Sequence, residues 1–194
     1  MGPRREDLTA KARIRNAALA LYADAGEDGT SMRRIADEAG VTVGLVVHHY
    51  GTKDRLREAI EEYVVQTLAE TIDAAPRSTA ARDDAVADLL ASAPAIRGYV
   101  RRSILGTERN QLLARLTNLG AQQINSPEPT WPAPGVDIEA STRVVQLMVR
   151  AFGRILLQPV VDDMWDHLEG TDGPTEQRPT LVVRIAEAGA PAPG

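Results

Sequence analysis

The chain of 194 residues contains no cysteine. Disulfide frameworks and thiolate metal sites are therefore excluded, and the cytoplasm is the expected compartment. Aromatic residues make up only 4%, with a single phenylalanine, so any interior must be built mainly from Leu, Val, Ile and Ala. A strong positive charge is also missing. The formal net charge is −5, which argues against a protein that coats nucleic acid without specificity. Residues 1–60 carry ten Lys/Arg and nine Asp/Glu, whereas residues 61–194 carry twelve and eighteen, so the N-terminal third is the less acidic part. No uninterrupted apolar stretch is long enough to span a membrane. The best run, Ile155 to Val161, is broken by Gln158 and Pro159, and no membrane partner is expected. The opening Met1-Gly2-Pro3-Arg4-Arg5-Glu6 has neither the apolar core of a secretory signal nor a myristoylation pattern. G-x-S-x-G, H-E-x-x-H, G-x-x-x-x-G-K and Rossmann glycine sets are all absent, so no enzyme activity and no cofactor are expected.

What is present is helical. Alternating β-branched runs are nearly missing, and an all-α fold of about nine helices is expected. Ile14, Ala17, Ala18, Leu21, Tyr22 and Ala25 repeat at helix spacing, and Gly26 to Gly29 ends that helix. Thr30 or Ser31 caps a second helix carrying Met32, Ile35, Ala36 and Ala39, closed by Gly40. Thr42 caps a third, short helix to about Tyr50. Thr52 then opens a long one with Leu56, Ile60, Val64 and Leu68 on one face. Beyond Pro76, further helices are expected through Leu90, from Pro94 to Ile104, and from Glu108 to Ile124. Four prolines between Pro127 and Pro134 mark a loop. A helix follows from Asp137 to about Leu157, and Pro159 is expected to kink or restart it. Gly170 to Pro174 reads as a loop, and Thr180 to Ala188 as a last short helix.

The informative segment is Thr30 to Lys53. It reads as two short helices joined by a tight turn at Gly40-Val41, with Ile35, Ala36, Ala39, Val41 and Val46 placed to form a small core between them. The small Ala36 and Ala39 let the helices approach closely, leaving one face of the second free to enter a major groove. Many helical hairpins share this bare pattern. The residues in register are more specific: Thr30/Ser31, Arg33, Ile35-Ala36, Ala39-Gly40-Val41, Thr42, Gly44, His48, Tyr50, Lys53 and Leu56. Over residues 8–60 this set resembles the signature of TetR-family transcriptional regulators. The resemblance implies a helix-turn-helix DNA-binding domain (1–52) followed by a helical ligand-binding and dimerisation domain (53–194).

Roles follow position by position from that resemblance. Arg33 is expected to reach a base edge or phosphate, the alternative being a solvated surface arginine. Thr42, Val43, Gly44 and Leu45 occupy the first turn of the recognition helix, and Val47, His48 and His49 its later part. Thr42 serves either as an N-cap alone or also as a phosphate contact. Gly44 permits close backbone approach. Lys53 is expected to pair with a phosphate at the start of the next helix. Two departures from the family pattern stand out. Val43 replaces a polar or basic residue and Val47 a tyrosine, so this recognition helix is unusually apolar. The valines and Leu45 either touch thymine methyls or belong to the core.

The resemblance also implies double-stranded operator DNA as a partner, bound by a homodimer, and a small effector. The helix from Asp137 is apolar over more of its circumference than one core-facing stripe requires. Val145, Val149 and Leu156, with Leu181, Val182 and Ile185 from the last helix, are the candidate dimer interface. Tyr99, Arg109, Thr117, Gln146, Met148 and Phe152 are candidate pocket residues for a largely apolar effector. Two other function classes remain open. One is an interaction protein with a degenerate helix-turn-helix. The other is a metal-dependent enzyme built on Asp163 and His167, four residues apart in Asp162-Asp163-Met164-Trp165-Asp166-His167; a solvated acidic turn at a helix end is the favoured reading of these residues, and no metal is expected.

Overall fold

The computed structural model describes residues 5–106, 111–124 and 138–169, together with Pro179 and Leu181. Among the described residues there are eight α-helices and no strand: α1 (Arg5–Ala25), α2 (Met32–Ala39), α3 (Val43–Tyr50), α4 (Lys53–Ala74), α5 (Thr79–Ser92), α6 (Pro94–Leu105), α7 (Gln111–Ile124) and α8 (Ile138–Glu169). Apart from Leu181, the expected last helix at Thr180 to Ala188 lies outside the described residues, as do the proline-rich loop and the opening of the helix expected from Glu108.

The N-terminal helix boundaries follow from capping chemistry. Ser31, Thr42 and Thr52 each accept a hydrogen bond from the backbone N–H three residues on, at 3.1, 3.3 and 3.2 Å respectively, which fixes the starts of α2, α3 and α4. Gly40 ends α2 at φ 61°, with its N–H turned back to the carbonyls of Ala36 and Asp37. Only glycine takes that left-handed conformation without strain, so the tight turn into α3 depends on it.

Two compact units divide the chain, Met1–Leu113 and Ala114–Gly194. In the first, α1 is the central post. Its Ile14, Ala18 and Tyr22 are buried together with Ile35 and Ala36 of α2, Val46 of α3, Leu56, Ile60 and Val64 of α4, and Val100 of α6. Burying each large aliphatic side chain contributes about 1.5–3 kcal/mol, and the scarcity of aromatics is met by fitting many such residues closely. This unit reaches well past residue 52. α6 lies so close to α1 that a Cβ on Gly98 would sit 3.1 Å from the Cβ of Ala23. Next to that contact, Arg102 donates from Nε to the Ala23 carbonyl at 3.3 Å and from Nη2 to the Asp24 carbonyl. A side chain of α6 thus satisfies carbonyls that the end of α1 leaves open.

In the second unit, Leu116 and Leu119 of α7 and Val144 of α8 are buried, and Gly120 admits Met148, whose Sδ would lie 3.1 Å from a Cβ at that glycine. Here the structure corrects the sequence reading. α8 neither ends near Leu157 nor restarts at Pro159; it runs through the proline to Glu169 as one helix of 32 residues. One proline removes one intrahelical hydrogen bond, and the helix continues on both sides of it. The continuation joins two apolar runs that the sequence reading had separated. Within α8, Ser141–Leu168 is long and apolar enough to cross a membrane by length and composition.

Candidate nucleic-acid interface

The helix-turn-helix is held rigid by groups from α1. Arg13 donates through Nη2 to the carbonyl of Ala39 and, at 3.0 Å, to that of Gly40, clamping the turn between α2 and α3. At the other end of α3, the Tyr50 hydroxyl donates to the Lys11 carbonyl at 2.8 Å, and the Lys11 ammonium lies 5.8 Å from the Tyr50 ring centroid. The Arg15 guanidinium stacks 3.6 Å from the centroid of Tyr63, tying α1 to α4. Neither Arg13 nor Arg15 stands out in the sequence by function, because each acts on backbone or ring atoms far along the chain.

On this frame the outer face of α3 is open. Val43 and Val47 are 39% and 48% exposed, whereas Val46 is fully buried. Neither Val43 nor Val47 therefore belongs to the core. Leu45 and His49 are half-buried, and Thr42, Gly44 and His48 are exposed. A Cβ on Gly44 would meet nothing nearer than the Thr42 hydroxyl at 3.9 Å, so nothing within the fold requires glycine there. Arg33 is exposed on α2, and Lys53 opens α4 where backbone N–H groups point outward. Val41, expected in the small core, is half-buried.

Behind Lys53 lies a polar cluster that the sequence does not announce. Arg57, one turn along α4, lies 3.2 Å from Glu27 in the α1–α2 turn, 3.7 Å from Asp54 and 3.2 Å from Glu61, whose side chain is 2% exposed. Burial opposes the Arg57 charge, but Glu61 and Glu27 outweigh it and raise its pKa. Burial raises the Glu27 carboxyl above its usual range, partly offset by Arg57. The Tyr22 and Tyr99 phenols are both pushed well above their ordinary value, chiefly by burial, with the Glu27 charge adding to the effect on Tyr22 and that of Glu61 on Tyr99. Tyr99 hydrogen-bonds Ser103, whereas the buried Tyr22 hydroxyl finds no partner among the described residues.

Residues 14–60 match the family model of bacterial regulatory proteins, tetR family. Over 159 residues the chain is 30% identical to the HTH-type transcriptional repressor Rv3405c of Mycobacterium tuberculosis, spanning 81% of this chain and 77% of that protein. The chain belongs to the TetR family. The HTH-type transcriptional regulatory protein RaaS of the same organism is 43% identical over 75 residues, which is 39% of this chain and 35% of that relative. Among solved structures, a TetR-family regulator from Streptomyces coelicolor A3 superposes with a TM-score of 0.53 at 28% identity, covering 81% of this chain and 86% of the other. A tetR family transcription regulator from Shewanella sp. PV-4 has the same fold, with a TM-score of 0.59 at 21% identity over 82% of this chain and 89% of that one. The chain is accordingly a helix-turn-helix, DNA-binding transcriptional regulator with the all-helical TetR fold, and its relatives are regulators rather than enzymes.

The structure distributes the remaining candidate residues of this TetR-family chain as follows. Tyr99 is buried in the first unit, while Thr117, Met148 and Phe152 are half-buried in the second. Met148 and Phe152 share a face of α8, with Met148 against α7 at Gly120. Gln146 is half-buried on the opposite side of the helix, and Arg109 lies outside the described residues. Of the interface candidates, Val145 and Val149 are 53% and 37% exposed and Leu156 is half-buried. The Gln158 side chain donates to the Pro179 carbonyl at 2.9 Å and accepts from the Leu181 N–H at 2.7 Å. Val182 and Ile185 lie outside the described residues. Sequence reasoning missed Val160, Met164 and Leu168, which are 51%, 61% and 75% exposed and extend the Val145–Val149 stripe beyond Pro159. Asp163 and His167 are both exposed, and no group of three or more His, Cys, Asp or Glu able to hold a metal occurs among the described residues.

Proposed function

We propose that this TetR-family chain is a ligand-responsive repressor that binds a palindromic operator as a twofold homodimer, in the cytoplasm. The reading is carried by the open face of α3, where Thr42, Val43, Gly44, Val47 and His48 stand together with Leu45 and His49 at its edges, flanked by Arg33 and Lys53. In this reading α3 lies in the major groove, Arg33 reaches a base edge or phosphate, and Lys53 pairs with a phosphate. Retention of this open polar and basic margin favours DNA over a degenerate motif used only for protein contacts. Repression is supported by the likeness to the transcriptional repressor Rv3405c of Mycobacterium tuberculosis.

The dimer is supported by the exposed stripe of α8. Val145, Val149, Val160, Met164 and Leu168 fall on one arc of a helix that a lone subunit leaves uncovered. Leu156, Leu181, Val182 and Ile185 complete the proposed four-helix interface. The effector is a small, largely apolar molecule held in the C-terminal domain, with Thr117, Met148 and Phe152 as its candidate lining. It releases DNA by binding better to a dimer whose recognition helices are misaligned.

Footprinting on a bound operator tests the first part. Two protected half-sites related by a dyad, about one helical turn apart or somewhat more, are expected; a single asymmetric half-site held by a monomer would refute it. Sedimentation tests the second. A dimer at micromolar concentration that becomes monomeric in Val149→Glu or Met164→Glu is expected, and a wild-type monomer that instead floats with lipid vesicles would assign α8 to a membrane.

A further inference from the structure

The exposed face of α3 is poor in the groups that read bases by hydrogen bonds. Arg or Lys to guanine, Asn or Gln to adenine, and Asp or Glu to cytosine are the pairings major-groove geometry favours. None of these six residue types occurs in α3, whose sequence is Val43-Gly44-Leu45-Val46-Val47-His48-His49-Tyr50. Thr42 uses one lone pair of its Oγ1 to cap the helix, accepting from the Leu45 N–H at 3.3 Å. What the helix offers instead is methyl surface. Val43 and Val47 are exposed and stand four residues apart, so their Cβ atoms lie on one face about 6 Å from each other. That separation covers up to two base-pair steps of about 3.4 Å. Gly44 beside them has open space where a side chain would be, which brings the helix backbone toward the groove floor and the two valines with it.

The major groove carries one apolar feature that matches, the methyl on C5 of a pyrimidine. Thymine has it, and so does 5-methylcytosine, whereas cytosine and uracil do not. We propose that Val43 and Val47 are specificity-determining residues that select 5-methylpyrimidines at two positions of each half-site. The selection works by burying methyl against methyl where an unmethylated ring would leave a gap. This inference rests on the DNA-binding reading of α3 and adds the chemistry by which it chooses its bases. It also makes the C5 methyl of cytosine a signal the chain can register at those positions, because valine contacts the methyl and not the exocyclic groups that distinguish the two bases.

The test uses the full chain. A bound duplex is first isolated by selection from a random library. Each thymine is then replaced in turn by deoxyuridine, and at the positions so identified thymine is replaced by cytosine or by 5-methylcytosine. Affinities are read by fluorescence anisotropy. Loss of a single methyl contact is expected to weaken binding about fourfold at two positions per half-site. 5-Methylcytosine should bind more tightly than cytosine there, and the thymine–uracil difference should vanish in the Val43→Ala/Val47→Ala chain. Deoxyuridine duplexes that all bind as tightly as the parent would overturn the inference while leaving DNA binding intact. A uracil penalty undiminished in the double variant would overturn it equally. Failure to enrich any duplex would instead refute the DNA-binding reading itself.

Discussion

At the scale of single residues, Gly44 separates folding from function most cleanly. Glycine in a helix is less stable than alanine by roughly 0.5–1 kcal/mol, and no neighbour in this fold excludes a Cβ at position 44. Gly44→Ala is therefore expected to leave the urea midpoint unchanged or slightly raised while weakening operator binding at least tenfold. An unaltered affinity would show that the backbone does not approach DNA there. Lys53→Ala should weaken all duplexes alike and lower the salt slope by about 1. Arg33→Ala should in addition relax base preference. The two tyrosines behind this site respond differently to loss of their hydroxyls. The Tyr22 hydroxyl is buried and without a partner among the described residues, whereas that of Tyr99 bonds Ser103. Tyr22→Phe should be neutral or stabilising by up to about 1 kcal/mol, and Tyr99→Phe destabilising by a similar amount. Both phenols have their pKa raised in the folded state. The unfolded chain therefore releases these protons first. The stability they carry is intact below pH ~10 and is lost as the pH rises above it. Urea titrations at rising pH should show that loss, reduced in Tyr22→Phe.

At the scale of elements, what the sequence made legible was whatever rests on local chemistry. Caps at Ser31, Thr42 and Thr52, the glycine at 40 and the 3.6-residue spacing of Ile14, Ala18 and Tyr22 are all short-range signals, and the helices follow them. Illegible were the features set by distant partners. The spacing puts Val46 in the core, where it is buried, but whether Val43 and Val47 join it depends on how three helices cross. The Arg13 clamp acts over 27 residues to the Gly40 carbonyl, a contact no spacing rule encodes. Pro159 removes one hydrogen bond from α8, a local signal for a kink or restart, yet the helix runs from Ile138 to Glu169 through it. Glu61 reads in sequence as one more surface charge in an α4 rich in them, and only the fold buries it against Arg57. Removing Arg57 takes the ion-pair partner away from a buried carboxylate. Arg57→Ala should destabilise the first unit by at least ~2 kcal/mol, a value lowered from the fully buried case because the arginine keeps some solvent contact. Arg57→Ala/Glu61→Leu should recover part of that loss, as read from urea midpoints. A double variant no more stable than the single would mean that Glu61 does not depend on its partner.

At the scale of the whole molecule, regulation would be a matter of shared equilibria. If an effector releases operator DNA, operator DNA must weaken effector binding by the same factor. Calorimetry of a compound found by thermal shift, with and without saturating operator, should therefore give two different affinities. Equal values would mark the compound as a passenger. The way α6 is fastened to α1 bears on a separate matter, how such proteins can be taken apart and recombined. Because Gly98 and Arg102 close the end of the helix that also supports α2 and α3, a head cut after residue 52 would lose α4 and α6 from its own interior. Grafting this DNA specificity onto another sensor should succeed when the junction falls beyond Leu105 and fail when it falls at the end of α3. Circular dichroism of the two chimaeras would report the difference directly. Recombination that preserves the fold would then carry α1–α3 together with α4–α6 as a single unit.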